Sequence, residues 1–306
     1  MQDSELMHDA ADIRREPMPT AHLAAVAAVI VAFFYCCWPN LRDMWQIWQR
    51  SDEYSSGLLV PFLAIYILWS RREELAGCPI RPALAAGLAA LVAAQAVRFF
   101  GLYYMYGSAE RLSVVLTVVA LVLMLCGRQF AKKTATILLF LFLMVPWPNR
   151  LQAAIAQPLQ SWATTSAVFT LELLGYEVIR EGNIINIGET SVAVAEACNG
   201  LRMVTAFFVI GGLVVLLVKR AWWEKMIVLL SCLPIALLCN TIRLTITSIA
   251  FTILEGKDWE QFFHDFGGYA MMPLALIMIV GELWLLKALT VVPEERKTVV
   301  IERKKG

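Results

Sequence analysis

Apolar runs recur along the chain at residues 21–38, 57–70, 83–100, 112–127, 134–148, 202–218, 226–253 and 267–289, separated by short polar stretches that carry Arg and Lys. A helix needs about 20 apolar residues to cross a hydrocarbon core roughly 30 Å thick. The runs therefore predict about eight transmembrane helices, the shorter ones extending into their polar flanks. Residues 151–175 break the pattern, because Gln152, Gln157, Pro158, Gln160 and the cluster Thr164, Thr165, Ser166 interrupt the apolar positions. This stretch reads as an amphipathic helix, interfacial or re-entrant, on the outer surface. A ninth span there would force Lys219, Arg220 and Lys225 to face outward. The residues that follow, EVIREGNIINIGETSVAVAEA, alternate as short strands with turns at Gly182 and Gly188, a small β-meander leading into the sixth span.

Composition agrees with a membrane protein: 306 residues, 59% hydrophobic, 17% charged, ten tryptophans, and a mean hydropathy of +0.65. The net charge of +1 is silent about nucleic acid, and none is expected as a partner. The placement of the charges is more informative. With the N-terminus inside, most of the 26 Lys and Arg residues collect on the inner side: Arg14 and Arg15; Arg71, Arg72 and Arg81; Arg128, Lys132 and Lys133; Lys219, Arg220 and Lys225; and the basic residues from Lys287 onward. The positive-inside rule then gives N-in, C-in and an even number of spans. The expected organisation is a cytoplasmic tail over 1–20, one transmembrane domain over 21–290, and a basic cytoplasmic tail over 291–306. The fold class is an all-α polytopic membrane protein with a small β insertion, lying in the plasma membrane.

Within this frame three polar positions stand out on the outer side. Cys198 lies in EACNGLR, between the meander and the sixth span, flanked by Glu196, Asn199, Gly200 and Arg202. A thiolate is the reactive form of cysteine, and nearby cations ease its formation. The other six cysteines, Cys36, Cys37, Cys78, Cys126, Cys232 and Cys239, fall in or beside spans, where cysteine packs as a small hydrophobe. A disulfide from Cys198 to Cys36 or Cys37 is the structural alternative. Asn240 and Arg243, three residues apart in the seventh span, share one side of that helix. An arginine inside a span is retained for a partner or a function, and the apolar helix continuing past Arg243 argues against snorkelling to the outer headgroups. His264 precedes the last span and is the one histidine able to share a compartment with Cys198, since His8 and His22 lie toward the inner side. No Cys/His cluster has metal-ligand spacing and no Gly-rich phosphate loop appears, so neither metal nor cofactor is expected.

At these positions the chain resembles the exosortase/archaeosortase family of polytopic membrane transpeptidases. EACNGLR, then NTIR (Asn240 to Arg243), then the His264 segment follow in the family's order, and SDEYSSGLLVPFLAIYILWSRREEL resembles its early span. The resemblance covers roughly residues 40–290, with one departure at Asn199, where serine is more usual in the family. It implies a C-terminal sorting signal as substrate: a short motif of the PEP-CTERM type, a transmembrane helix and a basic cluster, carried by exported proteins. Cleavage would pass the new carboxyl end to an acceptor, a lipid or glycolipid linked to exopolysaccharide production. By the same analogy Cys198 is the nucleophile and Arg243 and His264 complete the catalytic set; the neighbouring residues add Asn240 as a second donor beside Arg243, with Glu196 and Arg202 in support.

Two other classes compete with this reading. A transporter would also keep an intramembrane arginine, but the chain shows no inverted repeat and no paired broken helices in matching halves. A non-catalytic membrane subunit of polysaccharide export would leave the grouping of Cys198, Arg243 and His264 accidental.

Overall fold

The computed structural model describes residues 20–51, 54–188, 190–193, 200–218, 220–253 and 257–289. Ten helices occur among them: α1 (Thr20–Arg50), α2 (Leu59–Ser70), α3 (Arg72–Ala76), α4 (Leu84–Tyr103), α5 (Gly107–Lys133), α6 (Ala135–Phe140), α7 (Asn149–Leu173), α8 (Gly200–Leu217), α9 (Trp222–Ile253) and α10 (Lys257–Leu289). Three strands lie between α7 and α8: β1 (Val178–Glu181), β2 (Ile184–Ile187) and β3 (Thr190–Ala193). Helix dominates because the apolar runs must satisfy their own backbone groups, which a helix does within one segment.

Four helical segments among the described residues are long and apolar enough to cross a membrane: Val26–Arg50, Leu84–Tyr103, Gly107–Lys133 and Trp222–Ile253. The pair Ala135–Met144 and Asn149–Leu173 makes a fifth if it counts as one span, but it bends by 85° at its break. The runs expected at 57–70 and 202–218 are apolar helices too short to qualify alone. The last expected run, 267–289, lies inside the 33-residue α10. The chain is thus a mostly helical, multi-pass membrane protein in which several apolar runs are broken or short instead of eight uniform rods. The expected extension into polar flanks is seen in α1, which continues past Pro39 to Arg50, and in α9 and α10.

The chain divides into two compact units. One comprises residues 1–46 and 74–135, the other residues 47–73 and 136–306. In the first unit α4 and α5 form an antiparallel hairpin whose backbones meet closely at glycine. A Cβ on Gly87 would come within 2.5 Å of Met124, so only hydrogen fits there. Gly127, at φ 88°, turns α5 against the carbonyl of Arg81, a conformation and an approach that both require glycine. Asn40 donates to the Glu110 carbonyl at 3.0 Å and anchors α1 to the start of α5.

The second unit has two apolar clusters. Met203, Val204 and Phe207 of α8 pack with Cys232, Ala236 and Cys239 of α9 and with Met271, Ala275 and Ile279 of α10. Ala163, Ala167 and Leu171 of α7 pack with Ile185 and Ile187 of β2 and with Leu244 of α9. The α7 residues recur every fourth position, the stripe of an amphipathic helix. The amphipathic reading of 151–175 therefore holds for the helix itself, and its apolar stripe is spent on α9 and the sheet. Where the helix preceding it breaks at Met144, the freed carbonyl accepts a hydrogen bond from the indole Nε1 of Trp48 at 3.1 Å. Gly57 lies beneath that indole, where a Cβ would come within 2.8 Å of Nε1.

The meander forms as expected, antiparallel in the order β1-β2-β3. Gly182 and Gly188 take φ of 62° and 59° at its two turns. Arg180 of β1 clamps the sheet to α7, donating to Thr165 Oγ1 at 2.5 Å and to Ser161 Oγ at 3.2 Å. The Thr-Ser cluster that interrupted the apolar pattern is thus one side of this contact.

Candidate functional site

Arg243 stands midway along the polar half of α9. It is 6% exposed and Asn240, one turn earlier, is 2% exposed, so both point into the protein as their three-residue spacing predicts. Burial removes the snorkelling alternative, which requires the guanidinium to reach headgroups. Around them α9 buries Thr241, Thr245, Thr247 and Ser248. Thr241 and Thr245 donate to the carbonyls of Leu237 and Thr241, both at 2.9 Å, which lets a hydroxyl sit on a buried helix face. Asn240 Oδ1 and Ser248 Oγ have no hydrogen-bond partner among the described residues. Buried polar atoms are nearly always satisfied, so these two mark a place built for something more than packing. Ser248 was missed in the sequence, where it reads as one more small residue in an apolar helix. Its only signal there is membership of a run, TIRLTITS, unusually rich in hydroxyls for a span.

Helix register fixes what lies level with Arg243. Cys232 of α9 meets α8 at Gly211, and its Sγ donates to the Phe207 carbonyl at 3.4 Å. Arg243 is three turns further along α9, and the same distance back along antiparallel α8 reaches Gly200, its first residue. Counted from these contacts, Arg243 falls toward the N-terminal end of α8 rather than its middle. On the other side, Ser231 Oγ donates to Glu282 and Cys239 contacts Met278 Sδ at 3.8 Å. Carried along the two helices, these contacts put Arg243 level with residues 270–274 of α10. His264 lies closer to the start of that helix, about two turns or roughly 12 Å beyond Arg243.

Cys198 and Glu196 lie outside the described residues. Arg202 and His264 lie within α8 and α10 as backbone positions, and His264 is near the start of its helix, as expected. Among the expected site residues, the structure thus brings Asn240 and Arg243 together in one buried cluster. Cys36, Cys37, Cys78, Cys126, Cys232 and Cys239 are free thiols, and Cys37, Cys78, Cys232 and Cys239 are buried, in keeping with a packing role. Among the described residues no three His, Cys, Asp or Glu side chains are grouped to hold a metal ion.

A buried arginine and asparagine on one helix, with unsatisfied polar atoms nearby, can donate hydrogen bonds to a developing oxyanion and favour an adjacent anion. No curated protein and no solved structure matches the chain. The family model described as transmembrane exosortase matches residues 48–281, which takes in Trp48, the sheet, α8, α9 and most of α10. The chain belongs to the transmembrane exosortase family.

Proposed function

We propose that this protein is a cysteine transpeptidase that cleaves C-terminal sorting signals of exported proteins at the outer face of the plasma membrane. The observation that supports the reading is the burial of Arg243 and Asn240 one turn apart on α9, away from the lipid headgroups.

In this reading the Cys198 thiolate attacks the scissile carbonyl carbon, and the tetrahedral intermediate collapses with cleavage of the C–N bond. His264 passes the thiol proton to the leaving amine, since imidazole is the side chain able both to take up and to give a proton near neutral pH. The thioacyl enzyme keeps the acyl group activated until an amine or hydroxyl of a lipid or glycolipid acceptor displaces the sulfur. The Arg243 guanidinium cannot serve as a base. Its part is to donate to the oxyanion and to stabilise the thiolate, with Asn240 beside it and Glu196 and Arg202 supporting the segment. The substrate's own transmembrane helix and basic cluster would hold the scissile bond at this depth.

The deciding experiment is co-expression with an exported substrate carrying a motif, span and basic tail. Cys198→Ala and Cys198→Ser should abolish maturation while the protein still accumulates in the membrane, because little volume changes. Normal maturation by either variant would remove the cysteine as nucleophile.

A further inference from the structure

The broken span, α8 and α9 enclose an open groove of about 270 Å³ on the second unit, formed chiefly by Leu139, Phe140, Leu143, Phe208, Gly212 and Leu216. Gly212 keeps its floor open against the Phe140 ring, which a Cβ there would approach to 3.0 Å. One end of the groove is basic. The carbonyl of Leu216 accepts a hydrogen bond from the Arg71 guanidinium, and Lys225, in the first turn of α9, lies one turn before Leu229, which also lines the groove. The acid next to Lys225, Glu224, is engaged by Arg220 at 3.2 Å. Two like charges held together repel, and an anion between them relieves the repulsion.

The same end carries the marks of a membrane interface. Trp69, Trp222 and Trp223 are exposed there, and the Arg72 guanidinium lies 4.4 Å from the centre of the Trp69 ring. Tryptophan and basic residues together at a helix end sit at headgroup level, so the groove runs from the headgroups into the hydrocarbon.

We infer that this groove holds one acyl tail of an anionic phospholipid whose phosphate lies between Arg71 and Lys225. Size favours a tail over a helix. At roughly 30 Å³ for a water-sized group the space takes about nine such groups, a segment of one hydrocarbon chain. A helix with its side chains is about 10–12 Å across and does not fit. Charge selects the headgroup, since basic pockets between membrane helices recognise anionic lipids. This site is separate from the Arg243 cluster and stands whether or not transpeptidation does.

The test is native mass spectrometry of the full chain exchanged into an equal mixture of phosphatidylglycerol and phosphatidylethanolamine. One phosphatidylglycerol should be retained per chain in preference to phosphatidylethanolamine. Lys225→Gln should lower that retention roughly fivefold, the contribution of one basic residue near a lipid surface. Leu139→Trp, at an exposed position on the groove, should also expel the lipid while the circular dichroism spectrum and Tm stay unchanged. Equal retention of the two lipids, or no response to Lys225→Gln, would overturn the assignment. So would an apolar 20-residue peptide that displaces phosphatidylglycerol and is itself expelled by Leu139→Trp, because that outcome gives the groove to a helix.

Discussion

A guanidinium buried on α9 and one reaching for headgroups respond differently to lysine. Arg243 is 6% exposed beside Asn240, and in the proposed role its planar fork donates to an oxyanion, a geometry that a flexible ammonium does not reproduce. Arg243→Lys should therefore reduce substrate cleavage by about 10²- to 10³-fold at normal protein abundance, the usual effect of losing one oxyanion donor. Turnover close to the parent enzyme, measured by appearance of the shortened substrate, would leave Arg243 a structural residue. The three-residue spacing of Asn240 and Arg243 was enough to put them on one helix face. The buried hydroxyls around them were not legible, because Thr241 and Thr245 bond back to their own helix and differ little in sequence from packing residues. Ser248 becomes visible only when its oxygen is found without a partner among the described residues.

At the scale of elements, α7 shows what a pattern can and cannot say. Its interrupted hydrophobicity gave an amphipathic helix, and the alternation after it gave the sheet. The break before it was expected near residue 150, but the end of the preceding helix at Phe140 was not, because ILLFLFLMV is apolar throughout and hydropathy sees one run to 148. The physical signal was VPWPN: Pro146 and Pro148 remove two backbone donors and push the residues before them out of helical geometry. The contact that holds α7 in place is narrow, since Ala163 and Ala167 are fully buried against α9 and β2. Ala167→Leu should overpack it at about 1–3 kcal/mol. The expected readouts are a lower Tm in detergent and slower substrate maturation, as the sheet that precedes Cys198 is displaced. An unchanged Tm would mean that α7 packs more loosely than its buried alanines indicate.

For the whole molecule, the orientation inferred from Lys and Arg can be tested on two exposed turns. Gly77 has nothing within 4 Å of a built Cβ, and Glu181 at the end of β1 is exposed. In a cysteine-free background, a membrane-impermeant thiol reagent should label Glu181→Cys in intact spheroplasts and Gly77→Cys only after permeabilisation. Labelling of Gly77→Cys in intact spheroplasts would invert the topology and with it the compartment of the proposed chemistry. The short and broken apolar helices explain why counting runs alone overstates regularity: the hydrophobic effect records that a segment avoids water, but not whether lipid or protein covers it.

The hydrogen bond between Trp48 and the Met144 carbonyl joins residues 96 positions apart. At about 5–20 residues per second of synthesis, the indole waits roughly 5–20 s for the carbonyl that it will hold. During that interval the α4–α5 hairpin, whose contacts are local, can form in the bilayer without it, whereas the second unit cannot close. A ribosome stalled after Lys133 and before Met144 would therefore leave a nascent chain with a complete hairpin sequence and an indole still without its carbonyl, a state in which the insertion machinery or a chaperone has most to protect.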